Sequence, residues 1–176
     1  MRAGMRAILS VFVACNRLST PHAEPEVKHV TAKDADLAYV EAGQGEPLLL
    51  IHGGGGDFRF WESQIAVFAK NYRVIAYSRR NHFPNAVSAD STPDNNGDIH
   101  GEDAAALIEA LGLSQVQVLG HSSGALTALY LAANHPDLVR TLVVNEPNAV
   151  GLGGTKNLLP DSTYGRSSGS APSGIL

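Results

Sequence analysis

The chain of 176 residues contains a single cysteine, Cys15. That excludes an intramolecular disulfide framework and leaves no CxxC or Cys/His spacing for a metal. The seven histidines are scattered rather than clustered, which again suggests no metal site. No basic block occurs, and 13 basic against 17 acidic residues give a net charge of −4, so no nucleic-acid partner is expected. No apolar run is long enough to span a bilayer. Internal repeats are missing, and so are phosphate-loop signatures: there is no GxxxxGKS/T, and GxGxxG fails at Phe58.

What the chain does have is 44% hydrophobic residues, enough to bury the core of one domain. Residues 1–23 read as an export signal. MRAGMR supplies two arginines, AILSVFVA is an h-region-sized apolar run, and small residues follow at Ala14, Ser19 and Ala23. The expected location is periplasmic or secreted. FVAC, ending at Cys15, also resembles a lipobox and would anchor the mature chain through a lipid, whereas translation from Met5 without a working signal would leave it cytoplasmic.

Residues 24–150 alternate short β-rich runs with helical runs. VKHVT (27–31) and LAYVE (37–41) predict a hairpin, and LLLI (48–51) a strand buried on both faces. FWESQIAVFAK (60–70) places Trp61, Ile65 and Phe68 on one helical face. YRVIAY (72–77) is a strand, followed over 79–98 by a polar stretch long enough to be a functional loop. A helix is predicted from Asp98 to Leu111, with Ile99, Ala106, Leu107, Ala110 and Leu111 as its apolar stripe and Gly112 as its stop. VQVL (116–119), ALTALYLAANH (125–135) and TLVVN (141–145) read as strand, helix and strand. Such alternation implies a mostly parallel sheet with helices on both faces. Residues 151–176, rich in Gly, Ser and Pro, are too poor in apolar surface to repay their ordering entropy, and disorder is expected there.

Two motifs carry chemistry. In GHSSG (120–124), Ser122 falls between a predicted strand and a predicted helix, the sharp turn that a nucleophile elbow requires. Gly120 and Gly124 suit a strained turn that packs its helix close to the sheet. HGGGG (52–56) follows a buried strand and lets the main chain approach a developing oxyanion, with the N–H of Ser123 and that of Gly54 or its neighbour Gly55 as the expected donors. A flexible connector is the plain alternative for four glycines.

LLLIHGGGG, YRVIAYSRRNHFPN and ALIEALGLSQVQVLGHSSGALTALYLAANHPDLVRTLVVNEP, in this order, resemble the N-terminal half of an α/β-hydrolase-fold protein of the esterase and haloperoxidase-like type. The resemblance covers residues 27–148. It implies an α/β-hydrolase fold, no cofactor, a small-molecule substrate, Ser122 as nucleophile, and Gly54 and Ser123 as oxyanion donors. His52 and Gly53 would be the loop-organising HG pair, and His121 the structural residue beside the nucleophile. Members that open epoxides or remove halides carry Asp where this chain has Ser122.

In the family, an acid and then a histidine follow the nucleophile. Only His135 follows Ser122 here, at the far end of the next helix, where a dipole contact is the plain reading. His121 cannot turn back onto its neighbour's hydroxyl, and His82 and His100 precede the nucleophile. Glu146, directly after strand 141–145, reads either as the triad acid or as a turn former. No base is identified. The expectation is a truncated or frame-shifted family member lacking the last strands and the lid, with strand 141–145 at an exposed apolar edge. Three functions are compatible with this: an ester-type serine hydrolase impaired by loss of its histidine, a non-catalytic small-molecule binder, and a non-functional fragment. A cofactor-free haloperoxidase or carbon–carbon bond hydrolase would use the same scaffold as the first.

Overall fold

The computed structural model describes residues 25–87 and 97–147. The readings of residues 1–23 as a signal, Cys15 as an anchor, most of the 79–98 loop's second half and 151–176 as a tail lie outside them. Six strands form one sheet: β1 (Lys28–Ala32), β2 (Ala35–Ala42), β3 (Glu46–Ile51), β4 (Tyr72–Tyr77), β5 (Val116–His121) and β6 (Val139–Asn145). Their order is β1-β2-β4-β3-β5-β6. β1 and β2 form the predicted hairpin, closed where Ala32 faces Ala35 and Lys33 takes a positive φ of 58°. β2 runs antiparallel to β4, and β4, β3, β5 and β6 are mutually parallel neighbours.

The apolar runs of β3 and β4 are buried on both faces, as their composition predicts. Alternation divides them between two cores. Leu49, Ile51, Ile75 and Tyr77 join Val118 against Leu107, Ile108, Ala128 and Leu131 of two helices, α2 (Gly97–Ala110) and α3 (Ser123–Asn134). Leu48, Leu50, Val74 and Ala76 pack on the opposite face against Phe58, Trp61 and Ile65. Those three lie in a 3-10 turn, Phe58–Trp61, and in helix α1 (Glu62–Phe68). Right-handed crossovers account for the two layers. The chain leaves β3 for β4 through α1 on one face, then leaves β4 for β5 on the other side of β3 through α2 on the opposite face. The order thus reverses at β3, and in open α/β sheets the crevice beyond such a reversal is where ligands sit.

Two expectations need correction. The helix read as 60–70 is instead a 3-10 turn that begins earlier, at Phe58, where the Asp57 carboxylate caps it by accepting the Arg59 N–H (2.9 Å), followed by the shorter α1, although Trp61 and Ile65 are buried as expected. In α2, Ile99 and Ala110 are exposed, whereas His100, Asp103, Ala104, Ala105, Leu107 and Ile108 are buried. The helix packs on both α3 and β1 as well as the sheet, so its covered face is wider than an apolar stripe, and Asp103 is buried because it meets Arg80. At the other edge of the described sheet, β6 exposes Val143 and Val144, in line with the apolar edge read from the sequence.

Candidate active site

β5 extends to His121, two residues past the predicted strand end, and α3 starts at Ser123, two residues before its predicted start. Ser122 alone makes the turn between them, with φ 54° and ψ −121°. Such a backbone costs a non-glycine residue on the order of 1–3 kcal/mol and persists only where surrounding structure over-determines it. Here the Ser122 N–H donates to the Asn145 carbonyl at the end of β6 (2.9 Å), and the Ser122 carbonyl accepts from Ala125 N–H (3.0 Å). Close packing explains the flanking glycines: a Cβ on Gly124 would lie 2.5 Å from the Ile51 carbonyl oxygen, and one on Gly120 would lie 2.8 Å from Ala125 Cα. α3 therefore rests directly on the backbone of β3. Helix geometry leaves the N–H groups of Ser123 and Gly124, the first two of α3, without an intrahelical partner.

The HGGGG segment turns over the same edge. Gly53 to Gly56 form a turn, with Gly56 N–H on the Gly53 carbonyl (3.4 Å) and Gly55 at φ 70°. Gly53 abuts the elbow, since a Cβ there would stand 3.0 Å from Ser122 Cβ. Gly54 is the next residue of this turn. His52 is fully buried. Its Nε2 accepts the Arg79 backbone N–H (3.0 Å), which leaves Nδ1 to carry the proton and donate to the Gly53 carbonyl (2.7 Å). Burial, aided by the Arg79 charge, pushes its pKa down to about 3. His52 is thus a neutral spacer with both nitrogens engaged, and it cannot act as a base.

Residues 46–163 match the family profile described as alpha/beta hydrolase fold. The chain belongs to that family. It is 37% identical over 107 residues to (E)-2-((N-methylformamido)methylene)succinate hydrolase of Acinetobacter baylyi, covering 60% of this chain and 39% of the relative. Among solved structures it resembles a membrane phospholipase A described as a bacterial virulence factor (26% identity, TM-score 0.65, 70% of this chain and 40% of that one). It likewise resembles epoxide hydrolase VrEH1 from Vigna radiata (26%, TM-score 0.64, 69% and 39%). The chain spans about two-fifths of the length of these hydrolases and corresponds to the N-terminal part of the fold.

Four further histidines, His82, His100, His121 and His135, are held in other ways. His121 stacks on Phe60 with ring centroids 4.8 Å apart. His82 donates from Nδ1 to the Arg80 carbonyl (2.9 Å) and sets its ring edge-on to His52 at 4.8 Å, with His100 a further 6.1 Å away. His135 pairs through Nε2 with Glu102 (2.9 Å) at the far end of α3, roughly 18 Å along the helix from the elbow. Its partner is thus a carboxylate of α2, rather than the helix dipole alone. Glu146 follows β6 at φ 47° and is exposed; its neighbour Asn145 is the residue that holds the Ser122 N–H, so Glu146 stands at the same sheet edge as Ser122. Two surface clefts of about 450 and 600 Å³ open beside α2, lined by Lys33, Glu102 and either His135 or Arg80, and neither is lined by Ser122.

Sequence reasoning missed three contributors here. Arg79, 1% exposed, donates from its guanidinium to Ser123 Oγ (3.1 Å). Asn85 latches the segment after β4: its Nδ2 donates to the carbonyls of Ser78 (2.8 Å) and Arg79 (3.0 Å), and its Oδ1 accepts Ala38 N–H (2.8 Å). Phe60 covers His121. The available signal for the first was an Arg-Arg pair directly at the carboxyl end of a buried strand, where one side chain has to face the crevice.

Proposed function

We infer that this chain is the nucleophile-bearing part of a serine hydrolase acting on small-molecule ester-type acyl substrates. The observation that supports it most is the isolated positive-φ backbone of Ser122 between β5 and α3, pressed against Gly53 of the glycine loop. Ser122 Oγ attacks the acyl carbonyl while a histidine acting as general base takes its proton. The carbonyl oxygen becomes negative and is met by the N–H groups of Ser123 and Gly54, which are fixed before the reaction starts. Collapse expels the alcohol, protonated by the same base, and water releases the acid by the reverse steps. The base is neither His52, whose nitrogens are both in use, nor His135, which is paired with Glu102. Glu146 is the candidate acid that would orient it. Serine at this position favours acyl transfer over epoxide opening, in which the family uses an aspartate.

A fluorophosphonate probe tests the reading. Covalent labelling of the folded chain that Ser122→Ala abolishes is the expected result; folded protein that binds small esters without being labelled would make it a non-catalytic binder. Export through residues 1–23 is the accompanying proposal, and the intact mass of the mature protein separates signal cleavage, lipidation at Cys15 and an unprocessed chain.

A further inference from the structure

Arg79 joins the two halves of the site. Its backbone N–H holds His52 Nε2 (3.0 Å), at the start of the glycine loop after β3, and its guanidinium holds Ser123 Oγ (3.1 Å), directly after the nucleophile that follows β5. β4 and β5 are separated by β3, so the side chain crosses the end of β3 to reach the elbow, a span of roughly two strand spacings or 10 Å between the strands themselves. Only arginine and lysine carry a positive charge on a stem of that length. The residue is 1% exposed, so its charge acts through protein rather than water.

From this geometry we propose that Arg79 is a positioning residue of the oxyanion hole, fixing the separation of its two N–H donors and setting a buried positive charge behind the one from Ser123. This rests on the serine-hydrolase reading of Ser122. A developing oxyanion is stabilised by donors that need no reorganisation, and Arg79 supplies that fixity from outside the site without touching substrate.

The test is the rate of covalent capture of Ser122 in the full chain by a fluorophosphonate, with the maximal rate separated from the half-saturating probe concentration. Arg79→Met is expected to slow the maximal rate roughly ten- to a hundredfold, less than the 10²–10³ that loss of a hole donor costs, with little change in half-saturation. Arg79→Lys should recover most of the loss, which a purely space-filling role would not predict. Ser123→Ala keeps the amide donor but removes the guanidinium's acceptor, so it should slow capture by itself and add little to Arg79→Met. Folded Arg79→Met captured at the wild-type rate overturns the proposal, as does an Arg79→Lys no faster than Arg79→Met. If Arg79→Met fails to fold, a wild-type rate in Ser123→Ala overturns it instead. Wild-type protein that is folded but never captured fails the serine-hydrolase reading, and the proposal with it, before any variant is compared.

Discussion

Lowering the pH from 7 to 5 should remove stability that His52 contributes to the fold. The unfolded chain protonates this imidazole near its ordinary value of 6.5, whereas in the folded chain its pKa is about 3, set by burial and by the Arg79 charge, with the His82 ring and the Asp57 carboxylate as further neighbours. A depressed histidine pKa means the unfolded state binds the proton first. The contribution of His52 is therefore fully present above about pH 6.5 and is lost progressively as the pH falls toward 3. At pH 5 the loss is about 2 kcal/mol. In urea that moves the unfolding midpoint down by roughly 1 M. Asp34, Glu41, Asp57 and Glu102 are all held below the usual carboxylate range by their cationic partners, so their contributions vanish only at more acid pH and leave this window to histidine. His52→Gln, which cannot titrate, should start from a lower stability and lose about 2 kcal/mol less between pH 7 and 5 than the wild type. Equal pH slopes for the two proteins would refute the buried neutral tautomer and, with it, the account of how the glycine loop is held.

Glycine replacements should separate steric from conformational cost. Gly124→Ala drives a Cβ into the Ile51 carbonyl and should cost about 3 kcal/mol or more, whereas Gly55→Ala, with open space but a φ of 70°, should cost about 1–2; similar losses on urea denaturation would count against the close approach of α3 to β3. Asp103, 1% exposed, grips Arg80 with both carboxylate oxygens, so Asp103→Asn should cost about 2 kcal/mol, whereas Asp34→Asn, the solvent-screened partner of the same arginine, should cost far less by the same measurement. Val143→Lys places a charge on the exposed face of edge strand β6 and should reduce concentration-dependent association in light scattering; unchanged association would mean that this edge is not the adhesive surface.

Much of the fold was legible because it is written in short-range patterns. Continuous apolar runs marked β3 and β4, alternation marked the hairpin, and Gly112 marked the stop of a helix. Strand and helix ends shifted by up to two residues, most visibly at the elbow, where the backbone bond from Ser122 N–H to Asn145 extends the strand beyond its apolar residues. The apolar stripe of α2 was misread because a helix packed on several neighbours buries polar residues that find partners there, and the partner of Asp103 is an arginine more than twenty residues away.

By itself the sequence determined the periodicities, the strand–turn–helix setting of Ser122, the glycine loop and the family, since each depends on residues close together in the chain. Tertiary structure alone decided which residues meet across strands. The order β4-β3-β5 carries Arg79 over the end of β3 to Ser123, fixes the tautomer of His52, stacks Phe60 on His121 and sends His135 to Glu102 rather than to Ser122. Those contacts follow from how the sheet is closed by its crossovers, and no local pattern encodes them.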